Sequence, residues 1–148
     1  VLLVAGYSAR TIYRNADWRS HASIWRATAK VSPLSPRSHN NMGDVYSLEG
    51  NLDMAALEFA RAIELKPDYS DAYHNLASTY GKMGRINEAI ECYRKAIFYN
   101  PRLYQSYQNL AVIYYNLGRF SEAKAYLSKA LELNPSDQSL RDFLGEIP

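Results

Sequence analysis

The chain has 148 residues, 47% hydrophobic and 22% charged, enough apolar material for one cored unit and too much for a disordered segment. Its 17 basic and 15 acidic residues are interleaved, for a formal net charge of +2; no basic block tracks a phosphate backbone, so nucleic acid is not an expected partner. Cys92 is the single cysteine, which excludes an internal disulfide and reads as a half-buried helix residue.

Residues 1–14, VLLVAGY followed by SARTIYR, are too short to span a bilayer and lack the flanks of a signal peptide. Two readings stay open for 1–35. Proline recurs at Pro33, Pro67, Pro101 and Pro135, 34 residues apart, and counting back from Pro67 aligns Trp25 with Phe59 and Ala9 with Gly43. On this count 2–35 is a degenerate first repeat, with Asp17 capping a helix from Trp18, although His21 and Thr28 stand where alanine is expected. The other reading makes Val1 to Tyr7 the end of a transmembrane helix, followed by a membrane-proximal helix and half repeat; the two are compatible.

From Pro36 the order is regular. Ser35 caps and Pro36 opens a helix over 36–49, and further helices are predicted over 52–65, 70–83, 86–99, 104–117 and 120–133. Gly50, Gly84 and Gly118 end the first helix of each pair, and Pro67, Pro101 and Pro135 stop the second. The resulting repeats are 36–69, 70–103 and 104–137, and 138–148 starts a further helix whose Arg141 and Asp142 suit a polar cap. Small residues hold fixed columns: Gly43, Ala77 and Ala111 on the first helices, then Ala55, Ala89 and Ala123, and Ala62, Ala96 and Ala130 on the second. Between them run Tyr46, Tyr80 and Tyr114, and Phe59, Tyr93 and Leu127. Each helix pair is too small to bury its own apolar stripes, so the pairs must stack.

This period and these columns are similar to the tetratricopeptide repeat pattern. The resemblance implies an all-α fold, an α-solenoid of antiparallel helix pairs, whose first helices line a concave groove. A second resemblance lies at the junction: Arg14, Asn15, Trp18-Arg19-Ser20, Ile24-Trp25-Arg26, Pro33-Leu34-Ser35, Arg37, His39 and Asn41-Met42-Gly43. It looks like the start of the C-terminal repeat region in the transmembrane-and-tetratricopeptide-repeat proteins linked to O-mannosylation. That resemblance implies a membrane catalytic domain upstream and an array on the extracytoplasmic face of a membrane; without it, the location is cytoplasmic. Arg10, Arg14, Arg19 and Arg26 follow the apolar run and, by the positive-inside tendency, point to the cytoplasm.

No set of acid, base, nucleophile or metal ligands converges in the sequence, and neither a cofactor nor a metal is expected. His21, His39 and His74 lie in separate helices, with His39 packing in an aromatic column. Glu58, Glu64, Glu88, Glu91 and Glu122 are expected on a solvated outer face. The column that bears on function is Asn41, Asn75 and Asn109 at the sixth position of each first helix. An asparagine there offers a carbonyl and an amide to the backbone of an extended peptide, or it bonds a neighbouring helix; the residues alone leave both open. Its groove neighbours are Arg37, Asn40, Asp44 and Ser47, then Asp71, His74, Ser78 and Lys82, then Gln105, Gln108, Val112 and Tyr115. Asn40, Gln105 and Asn109 occupy the places where chaperone-binding relatives carry cations to clamp a terminal carboxylate, and Asp44 adds a repelling charge.

The reading is a non-catalytic interaction module that binds a protein or peptide in its groove. Two alternatives stand beside it: an acceptor-presenting domain of a membrane-bound glycosyltransferase, and an assembly scaffold that buries Trp18, Trp25 or Phe143 between copies.

Overall fold

The structure, a computed structural model, describes residues 34–148; the expectations for 1–33, including the degenerate repeat, the membrane-proximal segment, Trp18 and Trp25, lie outside these residues. The described residues form seven α-helices and no strand. The described residues divide into two compact units, 34–65 and 66–148.

The first unit holds α1 (Pro36–Leu48) and α2 (Leu52–Leu65). Ser35 is extended at the N-cap and its side chain accepts from the Ser38 N–H at 3.3 Å, while Pro36 supplies a first-turn residue that needs no N–H partner. The helices pack through Met42, Val45, Ala55, Phe59 and Ala62, all at most 5% exposed. Gly43 makes this approach feasible: a Cβ built there would lie 2.5 Å from Cε1 of Phe59. The same two columns hold Ala111 and Leu127 in the third repeat, both fully buried, so bulk moves from one helix to the other. Gly43→Ala should destabilise by about 1–2 kcal/mol, overpacking outweighing the helix propensity gained. In a Phe59→Leu background the same change should be neutral or stabilising. Chemical denaturation of the four proteins of this cycle measures the coupling, and an equal Gly43→Ala effect in both backgrounds would refute the complementarity.

The second unit holds α3 (Ser70–Lys82), α4 (Ile86–Tyr99), α5 (Tyr104–Asn116), α6 (Phe120–Leu133) and α7 (Gln138–Glu146). α3 pairs with α4 and α5 with α6; α4 then packs on α5, and α6 on α7. Each expected helix from 36 to 133 is present, and its ends fall within a residue of the expectation because glycine and proline act locally. Gly84 shows how: at φ 76° it adopts the left-handed conformation that reverses the chain, and the Arg85 N–H then bonds the Tyr80 carbonyl at 2.9 Å. Gly50 and Gly118 repeat this geometry. α4 and α6 end at Tyr99 and Leu133, two residues before Pro101 and Pro135, with Asn100 and Asn134 as C-caps.

The core of this unit runs through Ala77, Tyr93, Leu110, Ala111, Tyr114, Ala123, Leu127 and Ala130 to Leu140 and Ile147. α7 buries Leu140 and exposes Arg141, Asp142 and Gly145, and Ile147 just past its end is buried as well. Asp137 caps it, accepting from the Leu140 N–H at 3.3 Å. No described helix is long and apolar enough to cross a membrane.

Candidate functional site

The expected groove residues fall in both units, which are taken separately. In the first, Arg37 is exposed and Asn41, Asp44 and Ser47 are half-buried, with burial raising the Asp44 carboxyl above its usual range. Asn40 corrects the expectation: at 6% exposure it lies inside the protein and presents no open surface to a ligand, whereas His74 and Gln108 of the same column are only half-buried. Glu58 is a second correction. It is half-buried rather than solvated because its Oε2 lies 2.7 Å from His39 Nδ1, a contact from the second helix back to the first.

In the second unit, Ser78, Lys82, Asn109 and Val112 line one open cleft of about 350 Å³. Gly81, Ile86, Tyr93, Ile113 and Asn116 complete its lining and were not expected there. The main addition is Tyr93. Its ring is buried, but its hydroxyl accepts from Asn109 Nδ2 at 3.0 Å and also interacts with Ser78. Burial raises the Tyr93 phenol above its usual range, while those two polar partners act in the opposite direction. The sequence carried one signal: Tyr93 bears the only hydroxyl in the column of Phe59 and Leu127.

Beside the cleft, His74 packs edge-on against the Tyr93 ring at 5.4 Å and shares a 2.8 Å hydrogen bond, through Nδ1, with Oγ of fully buried Ser106. It thus ties α3 to α5 across the repeat boundary. Asn75 is half-buried on α3, where its backbone carbonyl accepts from the Thr79 hydroxyl at 2.8 Å. Asp71 and Gln105 are exposed and Gln108 is half-buried. Tyr115 is covered in part by Phe120 and by Phe143 of α7, at ring distances of 5.6 and 5.4 Å. Phe143 itself stands in the asparagine column, one period after Asn109, and packs against the core within this chain.

Desolvation lowers the His74 pKa, partly opposed by the Asp71 carboxylate. The unfolded chain, with histidine near pH 6.5, therefore binds a proton more readily than the folded one. The His74 contribution to stability is complete above that pH and is lost as the pH falls toward the lower folded value. Between pH 7.5 and 5.5 the melting temperature of the wild type should fall more than that of His74→Gln; parallel curves would contradict this.

Among the described residues no group of three or more His, Cys, Asp or Glu side chains could hold a metal ion. Cys92 is half-buried and burial pushes its thiol up to about 11, which disfavours a thiolate nucleophile at neutral pH.

The Tetratricopeptide repeat family profile matches residues 70–103 and 104–137, and the related TPR repeat profile matches 43–84. The chain belongs to the tetratricopeptide repeat family. Among curated proteins it is 36% identical over 72 residues to Protein O-mannosyl-transferase Tmtc2 of Drosophila melanogaster, covering 49% of this chain and 8% of that protein. It is 28% identical over 67 residues to Protein O-mannosyl-transferase TMTC3 of Homo sapiens, covering 45% and 7%. The chain thus spans under a tenth of the length of these relatives. Of solved structures, MamA superposes with a TM-score of 0.70 at 30% identity, covering 75% of this chain and 65% of MamA. The first tetratricopeptide repeat domain of Spaghetti (RPAP3), bound to the HSP90 peptide SRMEEVD, does so with a TM-score of 0.73 at 21% identity, covering 76% and 90%. At that identity the likeness concerns the fold alone.

Proposed function

We propose that this chain is a non-catalytic protein–protein interaction module, with a polypeptide-binding face on α3 and α5 of the second unit. The observation that carries the reading is the set of amide and hydroxyl groups around the Tyr93–Asn109 bond, which places hydrogen-bonding side chains on an open cleft. The bond to Tyr93 uses one of the two Asn109 amide hydrogens and leaves the other, with the carbonyl oxygen, for a peptide unit. Asn75 supplies the corresponding position on α3.

Selection from a random peptide library displayed on phage provides the probe. An enriched peptide should lose at least about tenfold in affinity for the Asn75→Ala/Asn109→Ala double variant, since each lost bond contributes about 0.5–1.5 kcal/mol. Helical content should stay nearly unchanged. Unaltered affinity together with a lower melting point would assign the asparagines to interhelix bonding and remove the face.

The identity to O-mannosyl-transferases favours a second reading, in which this module presents acceptor polypeptide to a membrane-bound glycosyltransferase domain of the same longer chain. The coding sequence upstream of Val1 discriminates: several hydrophobic spans support that reading, and a polar, soluble domain opposes it.

A further inference from the structure

We infer that the cleft of the second unit is a subsite for one bulky, uncharged apolar side chain of an extended peptide, held between two backbone anchors and admitted by Gly81; this inference rests on the polypeptide-binding reading above. Along α5 the lining runs polar, apolar, polar. Asn109 and Asn116 stand seven residues apart on one helical face, about 10.5 Å of rise, and Val112 and Ile113 lie between them on that face. An extended chain covers this distance in about three residues, at roughly 3.3 Å each. Its backbone therefore reaches both asparagine amides while the side chain midway meets Val112, Ile113 and, from α4, Ile86. Ile86 and Ile113 are half-buried and Val112 is 39% exposed, so this wall keeps apolar surface for a ligand to cover. Lys82 also lines the cleft but already has a partner, and the subsite makes no use of its charge.

Gly81 supplies the independent observation. It lies within α3, half-buried and lining the cleft, at a place where glycine weakens a helix relative to alanine. Nothing in the described fold calls for it. The glycines of positive φ among the described residues are Gly50, Gly84 and Gly118, so Gly81 needs no left-handed backbone. A Cβ built on Gly81 meets no heavy atom within 4 Å, whereas one on Gly43 would strike Phe59, so no close helix contact needs it either. One period before and one after, Ser47 and Tyr115 carry side chains in the same column. The missing side chain leaves room in the cleft itself, beside the apolar wall, and a ligand group is what uses that room. A volume of about 350 Å³ is in the range that small ligands fill, enough for a leucine-sized side chain with backbone on either side.

The probes are acetylated and amidated pentapeptides Ser-Ser-Xaa-Ser-Ser, with Leu, Ala, Lys or Glu at the centre, titrated at millimolar concentration into isotope-labelled protein and followed by NMR. The Leu peptide should shift the side-chain amides of Asn109 and Asn116 saturably and bind about fivefold tighter than the Ala, Lys or Glu peptide, as suits partial burial of its aliphatic carbons. Gly81→Leu, which fills the room, should abolish that preference with helical content unchanged by circular dichroism. Gly81→Ala should melt at or above the wild-type temperature yet bind the Leu peptide about twofold more weakly, and it decides the matter alone if Gly81→Leu misfolds. Equal affinity for Leu and Ala, or a Leu preference that survives both substitutions, overturns the subsite and leaves the binding face in place. A lower melting temperature for Gly81→Ala overturns it too, because the fold would then need the glycine. Shifts of the same amides on raising the concentration of protein alone would make the occupant a second copy of this chain, against the inference. An absence of shifts with every peptide removes both the subsite and the binding face.

Discussion

Tyr114→Ala is expected to destabilise the second unit by about 3–5 kcal/mol, the cost of truncating a fully buried aromatic side chain. Tyr114 is 1% exposed and stacks on Tyr126, with ring centroids 5.3 Å apart and planes 9° from parallel. Its hydroxyl accepts from Arg94 Nη2 at 2.9 Å, and the Arg119 guanidinium sits 4.6 Å from the ring centroid. The residue therefore joins α5 to the preceding α4 and the following α6 at once. Tyr114→Phe keeps the stack and loses the one hydrogen bond, which limits its cost to about 0.5–1.5 kcal/mol. Urea unfolding of the two variants separates packing from hydrogen bonding, and equal losses would show that the ring stack contributes little.

Ala89→Leu is expected to destabilise by about 1–3 kcal/mol through overpacking. Ala89 is fully buried on α4, in the column where Ala55 and Ala123 are equally inaccessible, and α3 packs against this helix. A leucine there must push the two helices apart or leave its preferred rotamer. Retention of the wild-type melting midpoint would mean that the α3–α4 interface yields without cost, contrary to the close contact that the alanine column implies. Ala125→Leu on α6 serves as the control, because Ala125 is exposed and gains no such conflict.

The signals that placed the helices are local. Glycine at a left-handed turn, proline two residues past a helix end and serine at an N-cap each act over a few residues, so the expected boundaries from 36 to 133 came within one residue of those observed. The seventh helix begins at Gln138, where a further helix was expected, again for a local reason: the Asp137 side chain at its N-cap accepts from the Leu140 N–H. The cleft of the second unit was legible only in part. Ser78 and Lys82 share a face of α3 by spacing, Asn109 and Val112 share one of α5, and the two pairs do meet at one cleft, whereas Ile86 and Tyr93 come from α4, the second helix of its pair, and enter from another direction.

What the sequence determined by itself is the repeat: a 34-residue period, short helix pairs and small residues at the contacts force stacking, since no single pair can bury its apolar stripes. What the tertiary structure decided is where the polar side chains go. His39 and Glu58 are 19 residues apart, Asn109 and Tyr93 are 16 apart, and His74 and Ser106 are 32 apart, yet each pair lies within 3.0 Å. Such pairings depend on the angle at which one helix crosses another and on the rotamers that packing leaves available, and neither is written in the spacing of residues along a helix.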